Sequence, residues 1–275
     1  MKTLKLFFAL MAAMLMAVSC GSNKEQKVLV LYYSQTSNTE TVAKEIVKNL
    51  NADMEEIHSQ EPYTGDFKAT INRCIEEREN GYIPANKPLQ ANIADYDVIF
   101  IGYPIWFGTY APPVAALLND IDLSGKKVVP FCTFGSGGLE SSVADLAKAE
   151  PMANILPGYG VRAARMAAMP QEVDQFLKEN GFIKGSYVKL KDFTKQHEVS
   201  REEIEIFKMA TDNYPMLNAV PKTVASRAIP NGTEYMYCAY DIPHEEDMNL
   251  PPSGDLTIYI IKLNDAKPEF TRVVR

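Results

Sequence analysis

Residues Val28 to Thr39 constrain this chain more than any other stretch. Six apolar residues, Val28 to Tyr33, run straight into Ser34-Gln35-Thr36-Ser37-Asn38-Thr39, and a helical apolar pattern begins at once. A run apolar at every position reads as a strand buried on both faces, which demands helices above and below a parallel sheet. The polar hexapeptide is then the turn from that strand into a helix. Such a turn offers free backbone N–H groups, short hydroxyls and the positive end of a helix dipole to one anion. No Lys or Arg lies between Val28 and Ala43, so the loop suits a phosphate monoester held by hydrogen bonds rather than by a cationic clamp.

The same alternation continues to residue 182. Strands are predicted at Lys27–Tyr33, Ala52–Ile57, Asp97–Tyr103, Lys126–Thr133 and Ile155–Ala163. Helices are predicted at Glu40–Leu50, Phe67–Arg78, Pro112–Asn119, Leu139–Ala149 and Gln171–Asn180. Val42, Ala43, Ile46, Val47 and Leu50 share one face of the first helix, and Ser37-x-x-Glu40 fits a capping box at its start. The expected fold is α/β, a doubly wound five-stranded parallel sheet with its ligand at the carboxyl ends of the strands. The long connection His58–Ala94 is expected to reach over that edge beyond its helical part. A segment 183–199 reads as a linker, its lysine-rich Gly185–His197 alternatively as an entry strand. From residue 200 the pattern changes to a capped helix, Ser200–Asn213, and four strand-like runs, Thr223–Ile229, Thr233–Tyr240, Leu256–Leu263 and Phe270–Val274. That is a small α+β domain, a helix plus a four-stranded antiparallel sheet, with Asn231-Gly232 as a hairpin turn.

The first 26 residues stand outside both domains. Lys2 and Lys5 precede the uncharged apolar run Leu6–Val18, which ends at Ser19-Cys20-Gly21. This is the pattern of a secretory signal over residues 1–19, and the run is short of the roughly 20 residues that span a bilayer. Ala17-Val18-Ser19-Cys20 resembles a bacterial lipoprotein cleavage box. The resemblance implies lipidation at Cys20, a polar tether over 20–26 and a place in the bacterial cell envelope, facing the periplasm or the exterior. The formal charge of −7 becomes −9 once Lys2 and Lys5 leave with the signal, which argues against nucleic acid as a partner. Cys74, Cys132 and Cys238 show neither CxxC spacing nor an even count, so isolated thiols are expected rather than a metal cluster or a disulfide framework. His58, His197 and His244 are scattered, and Glu245-Glu246-Asp247 reads as a solvated loop.

Three strand ends should carry the chemistry. The first supplies the hydroxyl-rich loop. The second supplies Tyr103-Pro104-Ile105-Trp106-Phe107-Gly108, which holds the one tryptophan of the chain. The third supplies Thr133-Phe134-Gly135-Ser136-Gly137-Gly138. An aromatic loop and a glycine loop beside a phosphate site suit a flat heteroaromatic ring on a phosphorylated tail. There is no GxxxxGK[ST] and no GxGxxG after the first strand, so nucleotide triphosphates and dinucleotides fit poorly.

These three segments, in this order, resemble the flavodoxin family over residues 26–182. SQTSNT is similar to the flavodoxin phosphate loop T/S-x-T-G-N-T. The resemblance implies noncovalent FMN. It places Ser34, Gln35, Thr36, Ser37, Asn38 and Thr39 at the phosphate. Pro104, Ile105, Trp106, Phe107 and Gly108 would then line the isoalloxazine, with Thr133, Phe134, Ser136, Gly137 and Gly138 on its other side. It further implies electron transfer with a redox partner protein, or an FMN-dependent oxidoreductase using NAD(P)H or a quinone. A binding protein with a degenerate flavin site is the third reading. Two departures stand out. Ser37 occupies the family's glycine position, where φ > 0 would strain it. Electron-transfer flavodoxins commonly cover the ring with a tyrosine from the third loop, where this chain has Phe134; if that residue points inward, one face of the ring is left open. The C-terminal part is weakly similar to cystatin-like domains. With Gly232 aligned to their Q-x-V-x-G loop, Ala228 and Pro230 replace Gln and Val, so an interaction or scaffold role is expected rather than protease inhibition.

Overall fold

The computed structural model describes residues 26–212, 214, 217–242 and 254–275. The signal, Cys20, most of the tether, His244 and the Glu245–Asp247 run lie outside these residues.

In chain order the first part contains β1 (Val28–Tyr32), α1 (Asn38–Leu50), β2 (Asp53–Glu56), α2 (Phe67–Glu79), β3 (Val98–Trp106), β4 (Thr109–Tyr110), α3 (Pro112–Asp120), β5 (Lys127–Phe134), α4 (Leu139–Ala149), β6 (Asn154–Ile155), β7 (Tyr159–Arg162) and α5 (Met169–Glu179). The parallel sheet has the order β2-β1-β3-β5, with β6 and β7 both paired to β5. The expected fifth strand is therefore two short ones, separated by Leu156-Pro157-Gly158; Pro157 cannot donate to a ladder. Strand period 2 divides the core. Leu29 and Leu31 pack with Ile99, Ile101 and Cys132 beneath Val114, Leu117 and Leu146 of α3 and α4. Val30 and Tyr32 pack with Phe100, Val129 and Phe131 beneath Val42, Ile46, Val173 and Leu177 of α1 and α5. Each fully buried Leu or Ile contributes about 1.5–3 kcal/mol. The strand order reverses between β1 and β3, which leaves a crevice at their carboxyl ends.

The second part comprises β8 (His197–Glu198), α6 (Arg201–Thr211), β9 (Ala219–Ile229), β10 (Gly232–Asp241), β11 (Asp255–Leu263) and β12 (Glu269–Val274), in the antiparallel order β12-β11-β10-β9-β8. The capping box forms as expected: Glu203 N–H donates to Ser200 Oγ at 3.3 Å, and Ser200 N–H donates to Glu203 Oε2 at 2.9 Å. Ile206 and Phe207 of α6 pack on Val224, Tyr237, Ile258 and Phe270. Two details refine the expectation. A fifth strand, β8, lies at the end of the segment read as a linker or entry strand and pairs with Val224 and Thr223. The hairpin turn falls one residue early: Ile229 pairs with Gly232, so Pro230 and Asn231 (φ 59°) form the turn. Gly232 is already in the ladder, where a Cβ would stand 2.3 Å from Lys262 O.

The two sheets are tied together at the third strand-end loop. Gly137 and Val273 form an isolated parallel bridge, and Val273 N–H donates to Ser136 O at 2.7 Å. Arg162 donates from Nε to Gly135 O (2.7 Å) and from Nη1 to Phe270 O (2.8 Å). Arg272 pairs with Glu140 at 3.2 Å, and Arg165 bridges Glu172 and Glu269 at 2.9 and 3.0 Å.

Candidate functional site

The first loop is shaped by its backbone. Ser37 has φ 61° and ψ 0°, the left-handed region. A helix N-cap normally has an extended backbone, which brings its hydroxyl over the first turn. Ser37 does not, and the expected Ser37–Glu40 box is missing its Ser37 cap bond; Glu40 N–H donates to Ser34 Oγ instead, at 3.3 Å. Left-handed backbone costs a non-glycine residue about 1–2 kcal/mol. Ser37→Gly is therefore expected to stabilise the protein by about 1 kcal/mol, a Tm rise of about 2–4 °C. Thermal unfolding of the variant measures this, and an unchanged Tm would mean that the serine hydroxyl offsets the strain.

Neighbouring side chains fix the loop. Gln35 accepts from Tyr33 Oη (2.7 Å) and donates to Tyr63 O (2.9 Å). Asn38 Nδ2 donates to Thr36 Oγ1 at 3.3 Å. Thr39 is buried, and its Oγ1 lies 2.9 Å from Thr133 Oγ1, a hydrogen bond that braces the first loop against the third.

The second loop is a tight hairpin. Trp106 pairs with Thr109, and the two residues between them, Phe107 (φ 51°) and Gly108 (φ 82°), are both left-handed, the geometry favoured by two-residue hairpins. Phe107 is strained and 48% exposed, and its ring lies 5.1 Å from the Arg78 guanidinium. Trp106 is half-buried, edge-on to Tyr33 (5.8 Å) and Tyr63 (5.1 Å). Behind it lies a buried ionic cluster. Glu77 accepts from Tyr63 Oη at 2.6 Å and from Arg73 Nε at 2.7 Å, while the Arg73 guanidinium lies 4.0 Å from the Tyr63 ring centre. Burial, reinforced at Tyr63 by Glu77, pushes the Tyr33 and Tyr63 hydroxyls upward, so both remain donors at neutral pH. Burial and then Glu77 push the Cys74 thiol up to about 11. It is a neutral wall group rather than a nucleophile. Cys74, Cys132 and Cys238 are all free.

A cavity of about 510 Å³ collects the loops. Gln35, Thr36 and Asn38 reach it from the first loop, Pro104, Ile105, Trp106 and Phe107 from the second, and Thr133, Phe134 and Gly135 from the third. Ser34, Ser37 and Thr39 do not line it; Ser37 is exposed, Ser34 partly so, and Thr39 is buried. Gly108, Ser136, Gly137 and Gly138 line a neighbouring cavity of about 380 Å³, shared with Ile105, Phe107, Phe134 and Gly135. Phe134 is 5% exposed and packed into the core, so it forms a floor, not a cover. One wall was foreseen only in part. Gly65, Asp66, Phe67, Thr70, Ile71 and Cys74, from α2 and the turn before it, also line the cavity. The long connection was expected to reach over the site outside its helix; Tyr63, Gly65 and Asp66 do reach it, and the helix adds Phe67, Thr70, Ile71 and Cys74.

A crossed-over parallel sheet with a hydroxyl-rich strand-to-helix turn at its reversal point defines a doubly wound α/β protein with an anion-binding edge. The chain belongs to the flavodoxin family: the family model, described as Flavodoxin, matches residues 27–175. A Bacteroides eggerthii protein described as a flavoprotein is 29% identical, with a TM-score of 0.51, over 58% of this chain and 99% of that one. A similarly described Bacteroides uniformis protein is 27% identical, with a TM-score of 0.49, over 54% and 98%. A Lactobacillus acidophilus flavoprotein solved in complex with FMN is 22% identical, with a TM-score of 0.46, over 49% and 93%. Comparison with curated proteins returned no match.

Proposed function

We propose that this protein binds one FMN noncovalently in the 510 Å³ cavity and carries electrons outside the cytoplasm, attached to the cell envelope through a lipidated Cys20. The observation that carries the reading is the convergence on one cavity of three loops that lie far apart in the sequence. The residues fit the group. Gln35, Thr36 and Asn38 reach the cavity beside the N-terminus of α1, as a phosphate monoester needs, and Pro104–Phe107 offers an aromatic and aliphatic wall for a ring. FMN supplies one- and two-electron chemistry, and the protein's part is to bind, orient and shield it. Thr39 and Thr133 hold the two flanking loops at a fixed separation, and Trp106, set by Tyr33 and Tyr63, stiffens the ring wall.

A second reading, an FMN-dependent oxidoreductase acting on NAD(P)H or a quinone, is favoured by the inward position of Phe134, which leaves the third loop without an aromatic cover. The cystatin-like reading of the second part is supported by its helix-then-meander order, and its role is that of a scaffold against the first.

Purification from the membrane fraction tests the cofactor and the anchor. Denaturation should release riboflavin 5′-phosphate, identified by mass spectrometry, and the N-terminal peptide should begin at an acylated Cys20. A colourless product that stays colourless with excess riboflavin 5′-phosphate would remove the cofactor and leave the reading of a binding protein with a degenerate site. A Cys20 without acyl groups would remove the anchor.

A further inference from the structure

We propose that the lysine-rich strap 184–195 is a membrane-docking surface, which lays Lys184, Lys189, Lys191 and Lys195 on the anionic headgroups of phospholipids. The proposal deepens the reading of an envelope-attached protein and rests on it for the anchor; the strap is part of the chain whether or not Cys20 is acylated.

The strap runs against the charge of the rest of the chain. Residues 184–195 hold four lysines and one acid, Asp192, within a mature chain of formal charge −9. All four lysines are exposed, and among the described residues none is in an ion pair. Lysines on the helices are treated differently: Lys44, Lys48, Lys148 and Lys208 each pair with a carboxylate three or four positions away. Like charges grouped without counter-charges repel one another, and an anionic surface relieves that repulsion. Tyr187 and Val188, 42% and 48% exposed, stand among the lysines, an apolar contact of the kind that settles at the headgroup boundary.

The strap is held at both ends. Val188 N–H donates to Gln175 Oε1 (3.4 Å) and Gln175 Nε2 donates to Val188 O (3.1 Å), which fastens it to α5. The Phe193 ring centre lies 4.4 Å from the Arg227 guanidinium, and Thr194 exchanges two hydrogen bonds with Ser226 of β9, at 2.9 and 3.0 Å. Charges on a fastened backbone lose less freedom on docking than charges on a free one.

Its place in the fold matches the tether. The strap leaves α5 at the amino ends of the sheet strands: Phe182 lies edge-on to Phe100 at 5.1 Å, and Phe182 and Ile183 pack on the same cluster as Val28. The tether joins β1 at that end. The chain from Cys20 to Lys27 reaches at most about 25 Å, so an acylated Cys20 keeps this end of the first sheet beside the bilayer. Trp106, at the cofactor cavity, lies further along β3 than Phe100 by about 20 Å. No strap residue lines that cavity, so docking here leaves its opening clear.

The test uses unacylated mature protein, residues 20–275 with Cys20→Ser, so that no acyl chain contributes. Sedimentation with vesicles reads binding, and circular dichroism and flavin content report folding separately. Saturable binding is expected to vesicles of phosphatidylglycerol and phosphatidylcholine in equal parts, with none to phosphatidylcholine alone. It should be lost at about 1 M salt, where the screening length falls to about 3 Å. Each single Lys→Gln in the strap should weaken binding about 5-fold. Lys184→Gln, Lys189→Gln, Lys191→Gln and Lys195→Gln together should abolish it, and Lys→Arg at the same four positions, which keeps the charge, should preserve it. Lys44→Gln, Lys48→Gln, Lys148→Gln and Lys208→Gln together change the net charge equally and should leave binding in place. No binding of the unacylated protein to the mixed vesicles, or equal binding by the two fourfold glutamine variants, overturns the proposal. Either result leaves the acylation of Cys20 and the FMN reading to their own mass-spectrometric test, which does not involve the strap.

Discussion

Glu77→Ala is expected to lower stability by about 2–3 kcal/mol and Tm by about 5–10 °C. The carboxylate is 6% exposed and holds Tyr63 and Arg73 together. Its removal leaves a largely buried guanidinium whose Nη2 already lacks a hydrogen-bond partner and lies 3.9 Å from Glu61. The expected loss falls below the roughly 3–5 kcal/mol of a fully buried pair because the Arg73 side chain keeps 27% exposure. The damage should reach the cavity, because Tyr63 packs against Trp106. Trp106 emission should shift to the red in the native variant as the wall loosens. Glu77→Gln, which retains an acceptor for Tyr63, should lose less than half as much. Denaturant midpoints for the two variants measure the difference. Equal midpoints would show that charge alone, not the hydrogen-bonded cluster, is what matters.

Gly137→Ala should cost about 1–3 kcal/mol, the range for forced overpacking. Its Cβ would fall 2.0 Å from Val273 O and 3.0 Å from Val273 C, and both are backbone atoms that cannot rotate aside. The loop and β12 must therefore separate, with loss of the Val273–Ser136 hydrogen bond and weakening of the Arg272–Glu140 pair. Hydrogen exchange should quicken together at residues 135–138 and 270–274, while the sheet amides of β1 and β3 stay protected. Gly135→Ala is the control. It has room and no demanding backbone angle, so its unfolding midpoint should match that of the wild type. If both variants unfold alike, the bridge does not hold the two parts together.

The parts of this architecture that are legible in the sequence are those governed by local chemistry. Val28–Tyr33 reads as a strand buried on both faces because each residue is apolar, and the helix at Leu139–Ala149 and the Ser200 capping box read correctly because periodicity and caps act within a turn or two. The three loops read as one site because strand ends in a doubly wound sheet must share an edge. What escapes notice depends on distant partners or on backbone angles. Ser37 in a Ser-x-x-Glu pattern looks like a cap; the resemblance points to its left-handed backbone, but not to the passing of the cap bond to Ser34. Asn231-Gly232 looks like the turn, but Gly232 is paired in the ladder, where Lys262 O leaves no room for a Cβ. The glycines of the third loop look alike in sequence, although one admits a strand from the other sheet and another borders two cavities. A two-residue strand such as His197–Glu198 carries too few residues to show a period.

The tie between the third loop and β12 also joins distant parts of the chain. Glu140 and Arg272 lie 132 positions apart, and contacts of that span form late because chain closure must come before they reward it. The parallel sheet can condense while the loop beside its cavity is still unlatched. The latch needs β12 seated in the second sheet as well as the third loop in place, so the rigidity of that loop depends on residues more than a hundred positions away.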